Sequence, residues 1–434
     1  MLQTEKTGLV RAIGRWSLAA LVINSIIGSG IFGLPSVAAG LLGRASPFAM
    51  LVAGAAIGVI MACFAEVASQ FIQAGGPYLY ARVAFGRLTG IEMGWMLWLA
   101  QVAAPAANTN LFVIYLGEFW PAANTPVPRF LILTSLVGVL AVANYRGVSQ
   151  GTRISNVFTI AKLLPLAAVA TAGAIYFFSG HAVPAPNPSS PSLHAWLKAI
   201  LLLGFAYGGF ETALVPMSEA RNPQRDIVFA LFAALFTCAV LYSSIQWAVV
   251  EILPNAPHSE RPLADVARLA LGQGGAAFVA VGALICFCGY LSAKILAVPR
   301  VTFALAEEGD FPSWFGAVHP QFHTPYVSII VFSLLVWLLA LFGSFVGNLT
   351  LSAVARLFYY ATGCAALPVL RRKQPGAAWF RLPAGNVFAV LGVLICLVLI
   401  TQVDLRGLVI LAAVVAAALA NWLWVRSRPP RPAI

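Results

Sequence analysis

The residue types that do covalent or metal chemistry are poorly placed in this 434-residue chain. Its six cysteines (Cys63, Cys238, Cys286, Cys288, Cys364 and Cys396) all lie inside apolar stretches. None has a partner at disulfide or zinc-ligand spacing, so they read as small core hydrophobes. Cys286 and Cys288 are two apart and would point to different faces of a helix. The five histidines fall in connecting segments and form no H-E-x-x-H or similar cluster, so neither a metal nor any other cofactor is expected. The chain has no G-x-x-x-x-G-K-[ST] loop, which excludes a phosphate-cradling ATP site of that type. No His is expected inside a span and no His/Asp pair lies at helical spacing, which disfavours a membrane-embedded enzyme. Two other features can do chemistry. One is a pair of glycine-rich interruptions, Asn24-Ser25-Ile26-Ile27-Gly28-Ser29-Gly30-Ile31-Phe32-Gly33-Leu34-Pro35 and Gly204-Phe205-Ala206-Tyr207-Gly208-Gly209-Phe210-Glu211. The other is a handful of ionisable residues in apolar surroundings: Glu66, Lys162, Glu211, Lys294 and Arg356.

The elements that hold these residues follow from composition. The chain is 60% hydrophobic and 9% charged, with a mean hydropathy of +0.88. Soluble domains average about 45–50% apolar and about 25% charged, and burial saturates as domains grow. Most of this chain must therefore face something other than water, which makes it a polytopic membrane protein. A span needs roughly 20 apolar residues, and twelve segments qualify: 16–42, 47–72, 88–117, 129–146, 155–179, 193–218, 227–250, 274–302, 326–345, 348–370, 384–402 and 406–425. The first runs on as a full span without an A-x-A end, so no cleavable signal is expected. The net charge of +12 would suggest nucleic acid in a soluble protein. Here seventeen of the 26 Lys and Arg fall on the side that holds both termini, six on the other, and Lys162, Lys294 and Arg356 within spans. That bias places both ends in the cytoplasm, as twelve spans require. The external loops 180–192 and 251–273 are too short for a soluble domain, so any chemistry happens within the membrane.

Three glycines and a proline within eight residues make sense mid-membrane only where freed backbone groups line a cavity. The sixth span repeats the interruption five spans later, the pattern of a transporter built from inverted repeats. The alternative is close packing by small residues, the role expected of Gly54 and Gly58.

The chain resembles the amino acid–polyamine–organocation superfamily of permeases over residues 12–425. The matching runs are Ile27-Gly28-Ser29-Gly30-Ile31-Phe32; Ala74-Gly75-Gly76-Pro77-Tyr78-Leu79-Tyr80 followed by Phe85-Gly86; residues 205–211 and 219–227; and residues 305–311 with His319-Pro320. The resemblance implies an all-α membrane protein of twelve transmembrane helices. It implies a leucine-transporter-type five-plus-five inverted repeat with two extra C-terminal helices, and helices 1 and 6 unwound at the midplane. The whole would be a single transporter domain, with repeat one at 16–179, repeat two at 193–370 and extra helices at 384–425. The function implied is alternating-access transport of amino acids across the inner (plasma) membrane. The partners are a small-molecule substrate, protons and the bilayer.

Site residues carry over in the same way. Ser29, Gly30 and Ile31, beside Gly28, would offer backbone N–H groups and the Ser29 hydroxyl to a substrate carboxylate, as a helix N-terminus can. Ile26, Phe205, Ala206 and Gly208 would turn carbonyls toward the α-ammonium, and Phe205 matches an aromatic that closes over substrate. Lys162 would occupy the place of a sodium ion in sodium-coupled cousins. This makes it a proton-coupling or gating charge, or else a fixed structural cation, and sodium coupling is not expected. Gln101, Glu211 and Lys294 would line the side-chain pocket. An intramembrane ammonium at position 294 calls for a partner, and Glu211 is the acid nearest by topology. If the two pair, the pocket takes small neutral or polar amino acids; if Lys294 is free, it takes acidic ones. An amine or polyamine carrier is the rival, disfavoured by two lysines. Glu66 is expected to pair with a loop arginine, and Arg356 to snorkel or to meet a helix C-terminus.

Overall fold

The computed structural model describes residues 14–71, 76–147, 152–181, 191–214 and 222–426. Residues 74–75 and 219–221 of the motifs above, residues 182–190 of the external loop 180–192, and Lys6, Arg11, Arg221, Arg428 and Arg431 of the charge count lie outside the described residues. No strand occurs among the described residues.

The first apolar segment forms two helices, α1 (Arg15–Ile26) and α2 (Gly30–Leu42). After α3 (Ser46–Ala68), a short helix α4 (Gly76–Phe85) precedes α5 (Arg87–Leu116), α6 (Pro126–Tyr145) and α7 (Thr152–Tyr176). The sixth segment is again divided, into α8 (Leu193–Tyr207) and the single turn α9 (Phe210–Ala213). There follow α10 (Pro223–Ile252), α11 (Pro262–Glu307), α12 (Tyr326–Phe342), α13 (Phe345–Lys373), α14 (Gly385–Ile400) and α15 (Leu405–Arg426). Among the described residues nine helical stretches are long and apolar enough to cross a membrane, one of them running from Gly30 to Ala68. Helices α12 and α14 are apolar but shorter.

Two readings of the sequence need correction. Residues 262–271, taken there as part of an external loop, are helical and continue α11 past a kink at Gly272, whose φ of 74° suits glycine. His194 lies in the first turn of α8 rather than in a connection. His194 falls inside the apolar segment 193–218, and segment 274–302 starts late because hydropathy does not register the more polar first turns of α11.

Lipid gives no hydrophobic drive between helices, so close approach of small residues matters. Gly54 leaves space for the Tyr207 ring, which a Cβ there would meet at 3.1 Å, and a Cβ on Gly58 would meet Leu235 at 3.0 Å. These two glycines do pack helices together. At one end of the molecule Arg371 of α13 grips Glu66 of α3 through two bonds of 2.6 Å, and Glu66 also accepts the Leu382 N–H at 2.7 Å. The expected pair of Glu66 thus forms with a helix-end arginine. Beside it α4 is tied to the end of α11: Arg82 reaches Glu308 at 2.7 Å and Asp310 at 3.2 Å, and Arg87 reaches Asp310 at 2.7 Å.

Candidate functional site

The two interruptions face each other. Helix α1 ends when Ile27 turns extended (φ −71°, ψ 102°), and α2 starts at Gly30. At the second break Gly208 is extended and Gly209 left-handed, with φ 108°. A Cβ on Gly209 would lie 2.3 Å from the Ser25 carbonyl oxygen, so only glycine lets the second break press against the first. Gly30 meets α8 in the same way, because a Cβ there would lie 3.1 Å from Ala206 Cα and 3.3 Å from the Phe205 ring. Ile26, Ile31, Ser29, Phe205 and Ala206 are all buried around this contact. Gly28 differs, since a Cβ there would make only an ordinary contact of 3.6 Å with Tyr290 of α11.

Each break frees backbone groups, and side chains meet them. Lys162 is buried, and its Nζ donates to the carbonyls of Ile27 at 3.3 Å and Asn24 at 3.4 Å, the C-terminal end of α1. A cation there also answers the negative end of the helix dipole. At the second break Glu211 is the counterpart. Its Oε2 accepts the Gly209 N–H at 2.9 Å and the Tyr360 hydroxyl at 3.1 Å, and its Oε1 accepts the Tyr359 hydroxyl at 2.7 Å. Arg356 approaches Oε1 at 3.6 Å.

This geometry revises the sequence reading of two charges. Arg356 neither snorkels nor caps a helix; it is 3% exposed, and its guanidinium lies over the Phe205 ring, 5.0 Å from the centroid. It fills the space beside Gly208, where a Cβ would fall 1.7 Å from Nη1. Lys294 is not the ion partner of Glu211: its Nζ donates to Gln101 Oε1 at 2.7 Å and lies 5.2 Å from the Tyr290 ring centroid. Sequence order misled here because Glu211 already has a cation on α13. A signal was nevertheless present. Arg356, Tyr359 and Tyr360 follow an i, i+3, i+4 pattern, which puts one cation and two hydroxyls on a single helix face.

The structure therefore gathers Ile26, Gly28, Ser29, Gly30, Ile31, Phe205, Ala206, Gly208, Glu211 and Lys162 around the paired breaks. Tyr290, which contacts Gly28, leads on to Lys294 and Gln101. Residues absent from the sequence reading are Arg356 as a site residue, Tyr290, Tyr359 and Tyr360. Among the described residues no group of three or more His, Cys, Asp or Glu could hold a metal.

Comparison with known proteins agrees with the helical, apolar architecture. The chain is 28% identical to a methylthioribose transporter of Bacillus subtilis over 425 residues, covering 91% of this chain and 89% of the relative. It is 27% identical to a branched-chain amino acid permease of the same organism, covering 90% and 88%. A serine/threonine exchanger from that organism is also 27% identical, with 86% of each chain covered. The amino acid permease family matches residues 13–422, from the start of α1 almost to the end of α15. A match of that extent, on a chain whose helices are built to cross a membrane, makes this protein a multi-pass membrane protein of the amino acid permease family.

Proposed function

We propose that the protein is a secondary transporter that moves amino acids across the cytoplasmic membrane by alternating access, coupled to protons or to exchange and not to sodium. The observation that carries this reading is Lys162 Nζ on the Ile27 and Asn24 carbonyls. An ammonium occupies the carbonyl end of the first break, where a sodium ion would otherwise be drawn. The unpaired N–H groups that open α2 offer a place for a substrate carboxylate. Phe205, packed against Gly30 and under Arg356, is positioned to cover it.

On this reading the twelve apolar segments are twelve spans in one transporter domain. They form two inverted repeats of five, 16–179 and 193–370, followed by two further helices, with both termini cytoplasmic in the inner membrane. The relatives do not decide the substrate, since three of comparable similarity are named for three different substrates. The excess of buried cations over acids around the breaks argues against an amine or polyamine cargo.

Uptake of labelled amino acids into proteoliposomes tests the reading. Saturable uptake unaffected by replacing sodium with choline is expected, and Gly30→Leu should abolish it in a correctly inserted protein. Lys162→Ala should remove dependence on a pH gradient or stop turnover. A several-fold loss of parent uptake in choline would overturn the coupling assignment. Full activity of Gly30→Leu would overturn the carboxylate site.

A further inference from the structure

The charges around the paired breaks do not balance. Among the described residues Arg356 is the cation within ion-pair distance of Glu211, and that carboxylate is further engaged by the Tyr359 and Tyr360 hydroxyls and the Gly209 N–H. Lys162 is served by the carbonyl end of α1. Lys294 is 8% exposed and meets a neutral acceptor, Gln101, itself 4% exposed, together with the face of Tyr290. No carboxylate lies within ion-pair distance of Lys294 among the described residues. An ammonium has three N–H donors, and the Gln101 bond occupies one. Arg356 is the countercharge of Glu211, although its Nε and Nη1 are buried with no hydrogen-bond partner. Among the described residues three cations, Lys162, Lys294 and Arg356, thus stand around the breaks against the one anion Glu211, and a zwitterionic amino acid would add no net charge.

The position of Lys294 gives the surplus a direction. Tyr290 and Lys294 are one turn apart on α11. The Tyr290 ring contacts the Gly28 position of the first break at one edge and lies beneath the Lys294 ammonium. A single aromatic ring therefore touches both the first break, next to the proposed α-carboxylate cradle, and the ammonium.

We propose that Lys294, held by Gln101, is the specificity-determining cation of a side-chain subsite, and that the substrates are amino acids with an acidic side chain. The inference rests on the transporter reading above and narrows it. The substrate's second carboxylate supplies the anion that Lys294 lacks, and Gln101 fixes the ammonium by accepting a hydrogen bond from it. Neutral amino acids of the same length leave that charge buried without a counter-ion and are discriminated against.

The test is counterflow in proteoliposomes holding the full chain, with labelled glutamate and glutamine compared at equal concentration. The parent should favour glutamate by about tenfold or more, the scale of a buried charge pair lost when one partner is missing. Lys294→Met should reverse the glutamate-to-glutamine ratio, and Lys294→Arg should keep it in favour of glutamate. Thermal stabilisation of the purified parent by glutamate but not glutamine supports the inference independently, so it stays testable if Lys294→Met does not fold. A parent that carries glutamine or other neutral amino acids and not glutamate overturns this inference while leaving the transporter reading intact. A folded parent that moves no amino acid overturns both.

Discussion

The two helix interruptions answer the same backbone problem with opposite charges. At the first, freed carbonyls at the end of α1 receive the ammonium of Lys162 from α7. At the second, a freed N–H at Gly209 is taken up by the carboxylate of Glu211, two residues on in its own chain. Each charge has the sign that the adjacent helix end favours. The two differ in depth of support, however. Lys162 contacts backbone dipoles, whereas Glu211 is the hub of a buried cluster that includes a full countercharge, Arg356. On the proposed transporter reading, this contrast is expected to suit the first break to switching and the second to anchoring.

That contrast orders the mutational effects. Glu211→Ala should be the most damaging. It strands Arg356 as a buried unpaired cation, a loss of about 3–5 kcal/mol, read as a large drop in the apparent melting temperature of the purified protein. Adding Arg356→Met should restore part of it. If the single variant melts with the parent, the anchoring role is wrong. Gly209→Ala comes next. It forces a methyl group into a left-handed position 2.3 Å from the Ser25 oxygen, and such backbone strain costs about 1–3 kcal/mol. Lys162→Ala should destabilise less than Glu211→Ala, by about 1–3 kcal/mol, because it leaves carbonyls rather than a charge unpaired. Its effect should appear mainly in coupling. Equal losses of stability for the two charge variants would erase the distinction between the breaks. Gly28→Ala should be mildest, under about 1 kcal/mol in thermal unfolding, since its new methyl group meets only Tyr290 at 3.6 Å. A large loss there would show the first break to be as tightly packed as the second.

Much of this was readable before any coordinates. Gly28, Gly30, Gly208 and Gly209 mark the breaks because glycine is costly in a helix and a freed backbone group cannot be left in lipid. Hydropathy sets the apolar segments, because a span must be long and apolar whatever it packs against. Lys162, Glu211 and Lys294 stand out because a charge in such a segment needs a reason. These are local statements, and the membrane, as solvent, imposes them on the sequence directly.

The tertiary structure alone decided which charges meet. Lys294 and Gln101 are 193 residues apart along the chain, and Tyr359 and Glu211 are 148 apart. Chain order offered Glu211 to Lys294, and the packing of α13 against the second break gave it to Arg356 instead. Residues 262–271 joined α11 for a similar reason: hydropathy locates lipid, and it does not register where a helix continues into a polar end. Pairing in a bundle depends on helix rotation and crossing. A single sequence constrains these only through faces such as that of Arg356, Tyr359 and Tyr360, whose partner must be found in space.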